Sequence, residues 1–297
     1  MEKLLVIGAG GLLGSRALEL GRGRFEVFGT YNSRHVTGEK MFQLDVTKRQ
    51  EVFKIIEKIK PNIVMDTHAL HPVDYCETHP EEAWEITVNG TKNVAEASKR
   101  VGAKYVFFST DYVFDGKRLS YTEKDKPNPL SYYGKTKWAA EMVLEALGIN
   151  HIVARTAVLY GLGGAGKTSF VSWVVSKLNK GEKINIVTDQ HNNPTFADNI
   201  IEIIFRLYNR DAEGLFHMTG KECLSRYDFA KQIAKAFGLN SKLIVPTTTP
   251  KLGQIAKRPE KINLSTKKVE RVSGIKTMGV EEGLKTLNRQ MEGKKNG

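Results

Sequence analysis

The sequence predicts an α/β protein with a doubly wound parallel sheet, followed by a smaller α/β domain. Short apolar runs alternate with helical patterns through residue 158, which is typical of a parallel sheet. From about residue 160 the elements become shorter and the alternation is lost. We therefore assign residues 1–158 to a first domain, joined by parts of 184–210, and residues 159–297 to a second.

Composition is that of an ordinary globular protein, with 297 residues, 40% hydrophobic and 26% charged. The apolar run at the amino terminus is too short for a signal peptide, and no run approaches the roughly 20 residues of a membrane span. With two cysteines, Cys76 and Cys223, a disulfide scaffold and a four-cysteine zinc site are both excluded. A reducing cytoplasm is the expected compartment.

The net charge of +12 raises the question of nucleic acid binding. The lysines are dispersed, however, and no basic run is interleaved with aromatics, so we expect no nucleic acid partner. An acidic ligand such as a nucleotide, or a solvated surface, explains the charge equally well. A metal is a weaker hypothesis, because the spacing matches no ligand pattern in the loop that holds His68, His71, Asp74, Cys76, Glu77 and His79.

The first elements are a buried strand at 3–7, a glycine-rich turn and a helix through Leu20. In such a turn the first glycine permits the bend, the second lets backbone approach a diphosphate, and the third allows close helix–strand packing. Free N–H groups at the helix start would hold the phosphates. The alternative is a turn without a ligand. We favour a Rossmann-type dinucleotide site at Gly8, Gly10, Gly11, Leu12, Leu13 and Gly14.

The second strand, at 25–29, leads into Thr30–Arg34 without the acidic residue that usually holds the ribose of NAD. Ser33 and Arg34 are placed instead to bind a 2′-phosphate, which favours NADP. The alternative is an exposed loop arginine. The elements that follow are predicted as a strand at 42–46, a helix at 47–59 capped by Thr47, a strand at 62–66, a helix at 83–100 and a strand at 104–109.

The fifth strand ends in the run from Ser109 to Gly116. Ligands of open α/β sheets bind outside the carboxyl ends of the strands, so the hydroxyls of Ser109 and Thr110 can bind a substrate carbonyl. The alternative is a hydroxyl-stabilised turn that leads into a loop.

A helical pattern begins near Ser131 and ends at Gly148, and it places Tyr133 and Lys137 four residues apart on one face. An ammonium beside a phenol lowers the phenol pKa from about 10. A tyrosine tuned in this way can give a proton to a carbonyl oxygen. The alternative is an exposed surface pair.

After a sixth strand at 151–158, the segment Gly161–Thr168 satisfies the Walker A pattern, and the strand at 184–189 resembles a Walker B strand. An ATPase is therefore a competing class, although it leaves the earlier motifs unused. Lys167 and its loop could instead hold a diphosphate of the substrate. The remaining elements are predicted as helices at 197–209, 225–237 and 265–272 and a strand at 214–218, with Ser225 and Asp228 as a capping pair.

The glycine motif, the run STDYVFDG at 109–116 and the Tyr133–Lys137 pair together resemble the extended short-chain dehydrogenase/reductases. Within that group the chain most resembles the dTDP-4-dehydrorhamnose reductase family. The resemblance runs through almost the whole chain, and its further matches are Val73-Asp74 with Glu77, Arg155-Thr156 with Tyr160-Gly161, Asp189-Gln190 with Pro194-Thr195, Gly214–Gly220 and Arg258-Pro259 with Leu264-Ser265.

The resemblance implies that NADPH reduces the 4-keto group of a dTDP-4-keto-6-deoxy sugar, giving dTDP-L-rhamnose. It makes Tyr133 the proton donor, Lys137 the residue that lowers its pKa and binds the nicotinamide ribose, and Thr110 the residue that orients the keto group. Further cofactor contacts are expected at Asp45, Val46 and Ala69. Substrate contacts are expected at Val73, Asp74, Thr110, Asp111, Val158, Lys167 and Arg258. A homodimer is a further hypothesis.

Three departures from the family pattern lie near the expected substrate: Val158 in place of a tryptophan, Thr87 in place of an asparagine, and His68-Ala69-Leu70-His71 in place of smaller residues. Two other functions stay open. One is a non-catalytic NADP-binding regulatory subunit, similar to the beta subunit of methionine adenosyltransferase. The other is a nucleotide-sugar epimerase or dehydratase, although dehydratases usually carry a glutamate where Tyr112 stands.

Overall fold

We describe the protein from a computed structural model, over residues 1–33, 35–164 and 169–293. The strands are β1 (Lys3–Ile7), β2 (Glu26–Tyr31), β3 (Met41–Gln43), β4 (Ile63–Asp66), β5 (Lys104–Thr110), β6 (His151–Thr156), β7 (Leu159–Tyr160), β8 (Ile184–Val187), β9 (His191–Asn192), β10 (Thr195–Phe196), β11 (Gly214–His217), β12 (Leu224–Ser225) and β13 (Ile244–Thr247). The α-helices are α1 (Leu12–Gly21), α2 (Arg49–Ile59), α3 (Val73–Thr78), α4 (Pro80–Trp84), α5 (Gly90–Arg100), α6 (Tyr132–Leu147), α7 (Phe170–Asn179), α8 (Ala197–Asn209), α9 (Arg226–Ala236), α10 (Thr249–Leu252), α11 (Lys267–Ser273) and α12 (Val280–Gly293).

Seven parallel strands form the central sheet in the order β11-β6-β5-β4-β1-β2-β3. The chain starts in the middle, builds outward to β3, and then crosses back to β4. The carboxyl ends of β1 and β4 therefore border the point where the strand order reverses, which is where ligands bind in open α/β sheets. This topology confirms the predicted doubly wound parallel sheet.

The two faces of the sheet bury separate apolar cores, because successive side chains of a strand point to opposite faces. Leu4 and Val6 of β1 pack with α1, α8 and α11 on one face. Leu5 and Ile7 pack with α2, α5 and α6 on the other. In a third core, around Tyr160, α7, α9 and α12 pack against the short strands β8 and β13.

Several local predictions differ from the structure. Thr47 does not cap a helix, because its hydroxyl donates to Asp45 at 2.8 Å and α2 begins only at Arg49. The helix expected at 83–100 is interrupted by a π-helical turn, Glu85–Asn89, between α4 and α5. In contrast, the Ser225 hydroxyl accepts the Asp228 N–H at 2.9 Å, which confirms that cap.

The second half of the chain also contributes to the central sheet and its covering helices. Strand β11 pairs with β6, and a buried ion pair joins Arg16 of α1 to Asp198 of α8 through two hydrogen bonds of 2.6 and 2.7 Å. The division of the chain at residue 158 stays a prediction. Among the helices described, none combines the length and the apolar character needed to cross a membrane.

Candidate active site

The glycine turn after β1 leads into a helix start suited to an anion. Gly8 adopts a positive φ of +81°, and the N-cap of α1 is Gly11, which has no side chain to occupy the first N–H groups. Leu12 and Leu13 are the first residues of α1. Helix N–H groups and the helix dipole together favour a phosphate at such an end.

Gly14 allows the helix to lie against the turn. A Cβ at this position would be 2.4 Å from the carbonyl oxygen of Gly8 and 2.8 Å from the Cα of Ala9. Both atoms belong to the backbone, so the rotation of a side chain cannot make room for the added methyl group. This approach places the first turn of α1 against the turn that follows β1.

We expect Gly14→Ala to weaken cofactor binding and to lower stability by about 1–3 kcal/mol, since the methyl group must displace backbone. Fluorescence titration with NADPH and urea unfolding measure the two effects. Gly293→Ala is the control, because a Cβ there meets no atom within 4 Å. Equal behaviour of the two variants would show that the close approach is unimportant.

A cavity of about 530 Å³ lies at the carboxyl ends of β2 and β3, where the adenosine end of a dinucleotide is expected. Its lining includes the predicted cofactor residues Asp45 and Val46, together with Asn32, Thr47, Glu81, Glu82, Glu85 and Ile86. Ser33 is exposed next to Asn32, Gly10 faces Val36, and Arg34 lies outside the described residues. A second cavity, of about 720 Å³, lies elsewhere, beside the start of α12.

The loop after β4 carries Ala69 and a network that sequence reasoning missed. His68 Nδ1 bonds the buried carboxylate of Asp66, which also accepts the hydroxyl of Tyr105. The other ring nitrogen of His68 lies 3.0 Å from the carbonyl oxygen of Ile86, inside the π-helical turn. Within the described residues, no group of three or more His, Cys, Asp or Glu side chains is placed to hold a metal.

Helix α6 holds Tyr133 and Lys137, as predicted, and begins at a capped end. Ser131 accepts the N–H of Gly134 at 3.3 Å, and Gly148 closes the helix with a positive φ. A Cβ at Gly134 would be 2.3 Å from the carbonyl oxygen of Tyr112. Glycine therefore lets the first turn of α6 touch the segment after β5, which brings Tyr133 to the Thr110 hydroxyl.

The electrostatics of the pair differ from the prediction. Burial raises the pKa of the Tyr133 phenol above its ordinary value, although a hydrogen bond with Thr110 opposes this shift. Burial also lowers the pKa of Lys137 to about 8. The Lys137 ammonium donates to the carbonyl oxygen of Phe108 at 2.9 Å. The charge of Lys137 is not among the causes of the shift at Tyr133, so the lowering of the phenol pKa by Lys137 stays a prediction.

The predicted substrate residues divide into two groups. Asp111 follows Thr110 at the carboxyl end of β5 and is 3% exposed. Asp74, which follows Val73 in α3, instead bonds Arg258 through both oxygens, at 2.9 and 3.0 Å. The two side chains thus form an ion pair with each other in this structure.

Val158 lies between β6 and β7, where its carbonyl oxygen accepts the N–H of Thr195 at 3.0 Å. Its side chain packs against the core around Tyr160.

The Walker-like segment has other partners in the structure. Gly164 donates its N–H to the hydroxyl of Ser15 at 3.0 Å, so the described part of the segment packs on the first turns of α1. Asp189 accepts hydrogen bonds from the N–H and the hydroxyl of Thr249, the first residue of α10. Its carboxylate therefore caps this helix. In a Walker B strand the same carboxylate would bind the metal ion of the nucleotide. Lys167 lies outside the described residues.

The comparisons with known proteins agree with this geometry. The family described as RmlD substrate binding domain matches residues 1–292. A dTDP-4-dehydrorhamnose reductase of Aggregatibacter actinomycetemcomitans is 31% identical over 98% of this chain and 100% of its own length.

Of two further relatives, one is named as a reductase and the other as a subunit of methionine adenosyltransferase. The crystal structure of dTDP-4-dehydrorhamnose reductase from Bacillus anthracis in complex with NADP has a TM-score of 0.88, is 30% identical and covers 97% of this chain and 99% of its own. Methionine adenosyltransferase 2 subunit beta of Bos taurus is 30% identical over 95% of this chain and 87% of its own length. The chain therefore belongs to the RmlD substrate-binding-domain family, within the extended short-chain dehydrogenase/reductases.

Proposed function

We propose that this protein uses NADPH to reduce the 4-keto group of a dTDP-linked 4-keto-6-deoxy sugar, giving dTDP-L-rhamnose. The observation that carries the proposal is that α6 places Tyr133 and Lys137 beside the carboxyl end of β5, where Thr110 lies. The relatives named as reductases support the same reaction class.

The bound cofactor supplies a hydride to the carbonyl carbon. The Thr110 hydroxyl orients the keto oxygen, and Tyr133 gives it a proton as negative charge develops there. An alkoxide is a stronger base than a phenolate, so a phenol of raised pKa still gives up its proton to it. Lys137 uses one of its three N–H donors on Phe108, which leaves two for the nicotinamide ribose.

The glycine turn, the uncapped start of α1 and the 530 Å³ cavity fit a dinucleotide. The choice of NADP depends on Ser33 and Arg34 and is supported by the Bacillus anthracis relative. Four carboxylates line the same cavity, at Asp45, Glu81, Glu82 and Glu85. Because these repel a 2′-phosphate, a strong cationic partner such as Arg34 is required for NADP.

A regulatory role without catalysis is the second candidate function. The resemblance to methionine adenosyltransferase 2 subunit beta favours it. Against it, the protein keeps Thr110 beside Tyr133, and Lys137 one helical turn further along α6.

The decisive experiment follows the absorbance of NADPH during incubation with dTDP-4-keto-6-deoxyhexose that is generated in situ. We expect oxidation that requires both the protein and the sugar, and that is slower with NADH. Tight NADPH binding without oxidation would favour the regulatory role. ATP hydrolysis that disappears in Lys167→Ala would instead revive the ATPase class.

A further inference from the structure

A buried carboxyl oxygen next to the proposed proton donor has no role in the reduction as proposed above. Asp111 is 3% exposed, and its Oδ1 accepts the hydroxyl of Thr110 at 3.1 Å. Its Oδ2 is buried and has no hydrogen-bond partner among the residues described. An unpaired carboxylate in such a place is costly, and its protonated form is therefore favoured.

The charged and titratable groups around Asp111 come from both halves of the chain. One is Tyr133 of α6, and the charge of Asp111 raises its pKa. The others are Cys223, just before β12, and Arg226, the first residue of α9. Burial raises the pKa of Asp111 to about 7, although the Arg226 charge and the Thr110 hydrogen bond oppose the shift. Near neutral pH the carboxyl group can therefore both hold and release a proton.

One hydroxyl joins this carboxyl group to the proton donor. Thr110 Oγ1 donates to Asp111 Oδ1 at 3.1 Å, and an interaction of the same side chain with the Tyr133 phenol opposes the rise of the phenol pKa. A hydroxyl that accepts one hydrogen bond and donates another can pass a proton along the pair when the two bonds reverse direction.

We propose that Asp111 is the proton reservoir for the reduction and reprotonates Tyr133 through the Thr110 hydroxyl. This inference rests on the proposed function. It gives Asp111 a task separate from contact with the sugar, and it treats Thr110 as the link between the carboxyl group and the phenol.

The proton balance closes with one hydride and one proton per turnover. The hydride forms the new C–H bond, and the keto oxygen takes the proton of Tyr133 to become a hydroxyl. The phenolate then takes the Thr110 proton, and Thr110 takes the proton of Asp111. The carboxylate that remains recovers a proton from solvent before the next cycle.

The test is Asp111→Asn, which keeps the shape of the side chain but cannot release a proton. In the wild type we expect kcat to fall as the pH rises through about 7, because the carboxyl group then loses its proton. In the variant we expect this dependence to vanish and kcat at neutral pH to fall about 10- to 100-fold, with KM nearly unchanged. Infrared difference spectra of the protein alone, wild type minus variant, should show a protonated carboxyl group that titrates near the same pH.

Two further variants separate the relay from a structural effect. Thr110→Ser keeps the linking hydroxyl and should retain the pH dependence. Asp115→Asn makes the same change at a carboxylate that bonds Tyr121 and Asn128 and does not bond Thr110. The dependence of kcat on pH in this variant should match the wild type.

The outcomes distinguish this inference from the proposed function. A raised KM with an unchanged pH profile in Asp111→Asn would make Asp111 a sugar contact and overturn the relay alone. An infrared difference without a titrating carboxyl group would also overturn it. Wild-type protein that oxidises no NADPH would refute the proposed function, and the relay with it.

Discussion

Tyr133→Phe is expected to lower kcat for NADPH oxidation by about 10²- to 10⁴-fold while NADPH still binds. The phenol is the group that gives a proton to the keto oxygen, and phenylalanine keeps the ring without the proton. Cofactor binding should survive because Lys137 stays anchored to the carbonyl oxygen of Phe108. Stopped-flow absorbance measures the chemical step, and fluorescence titration measures the dissociation constant of NADPH.

Tyr132→Phe is the matched control for this prediction. It removes a phenol one residue earlier in the same helical turn, where the backbone N–H of Tyr132 donates to Glu77 at 2.8 Å. We expect wild-type kinetics from it. Equal rates for wild type and Tyr133→Phe would remove Tyr133 from the mechanism.

Arg155→Met is expected to cost about 3–5 kcal/mol of folding free energy, the largest stability loss that we predict. Arg155 bonds both oxygens of Glu141, at 2.9 and 2.6 Å, and the two side chains are 3% and 9% exposed. This pair joins β6 to α6 beneath the active site. Its removal leaves Glu141 charged and buried, with Ser109 as its remaining partner. Urea unfolding measures the change.

Arg24→Met provides the comparison, because Arg24 also bonds both oxygens of a glutamate, Glu202, but at the surface. Its side chain is 48% exposed, and such pairs contribute about 0–1 kcal/mol. The double variant Arg155→Met/Glu141→Met should recover part of the loss, since no unpaired charge remains. Similar losses for Arg155→Met and Arg24→Met would contradict the argument from burial.

Features that depend on neighbours in sequence were predictable. The glycine spacing after the first strand indicated the turn and the helix start that the structure contains. The helix from Ser131 to Gly148 was also predicted, because apolar period and a terminating glycine act within a few residues. The same locality placed Tyr133 and Lys137 on one face of α6.

Other features depended on contacts between distant parts of the chain. The pairing of Asp74 with Arg258 spans 184 positions, and two residues expected at the substrate proved to be partners of each other. Strand β11 joins β6 at the sheet edge, a position that its own sequence does not specify.

The electrostatics of the site also belonged to the tertiary structure. From sequence alone, an amine four residues from a phenol predicted a lowered pKa, yet burial raises it. The sequence alone predicted the motifs and the family, because each motif is defined by residue types and spacings within a short stretch of the chain. The protonation of Tyr133, Lys137 and Asp111 was decided by the fold, because it depends on how much water and which charges surround each group.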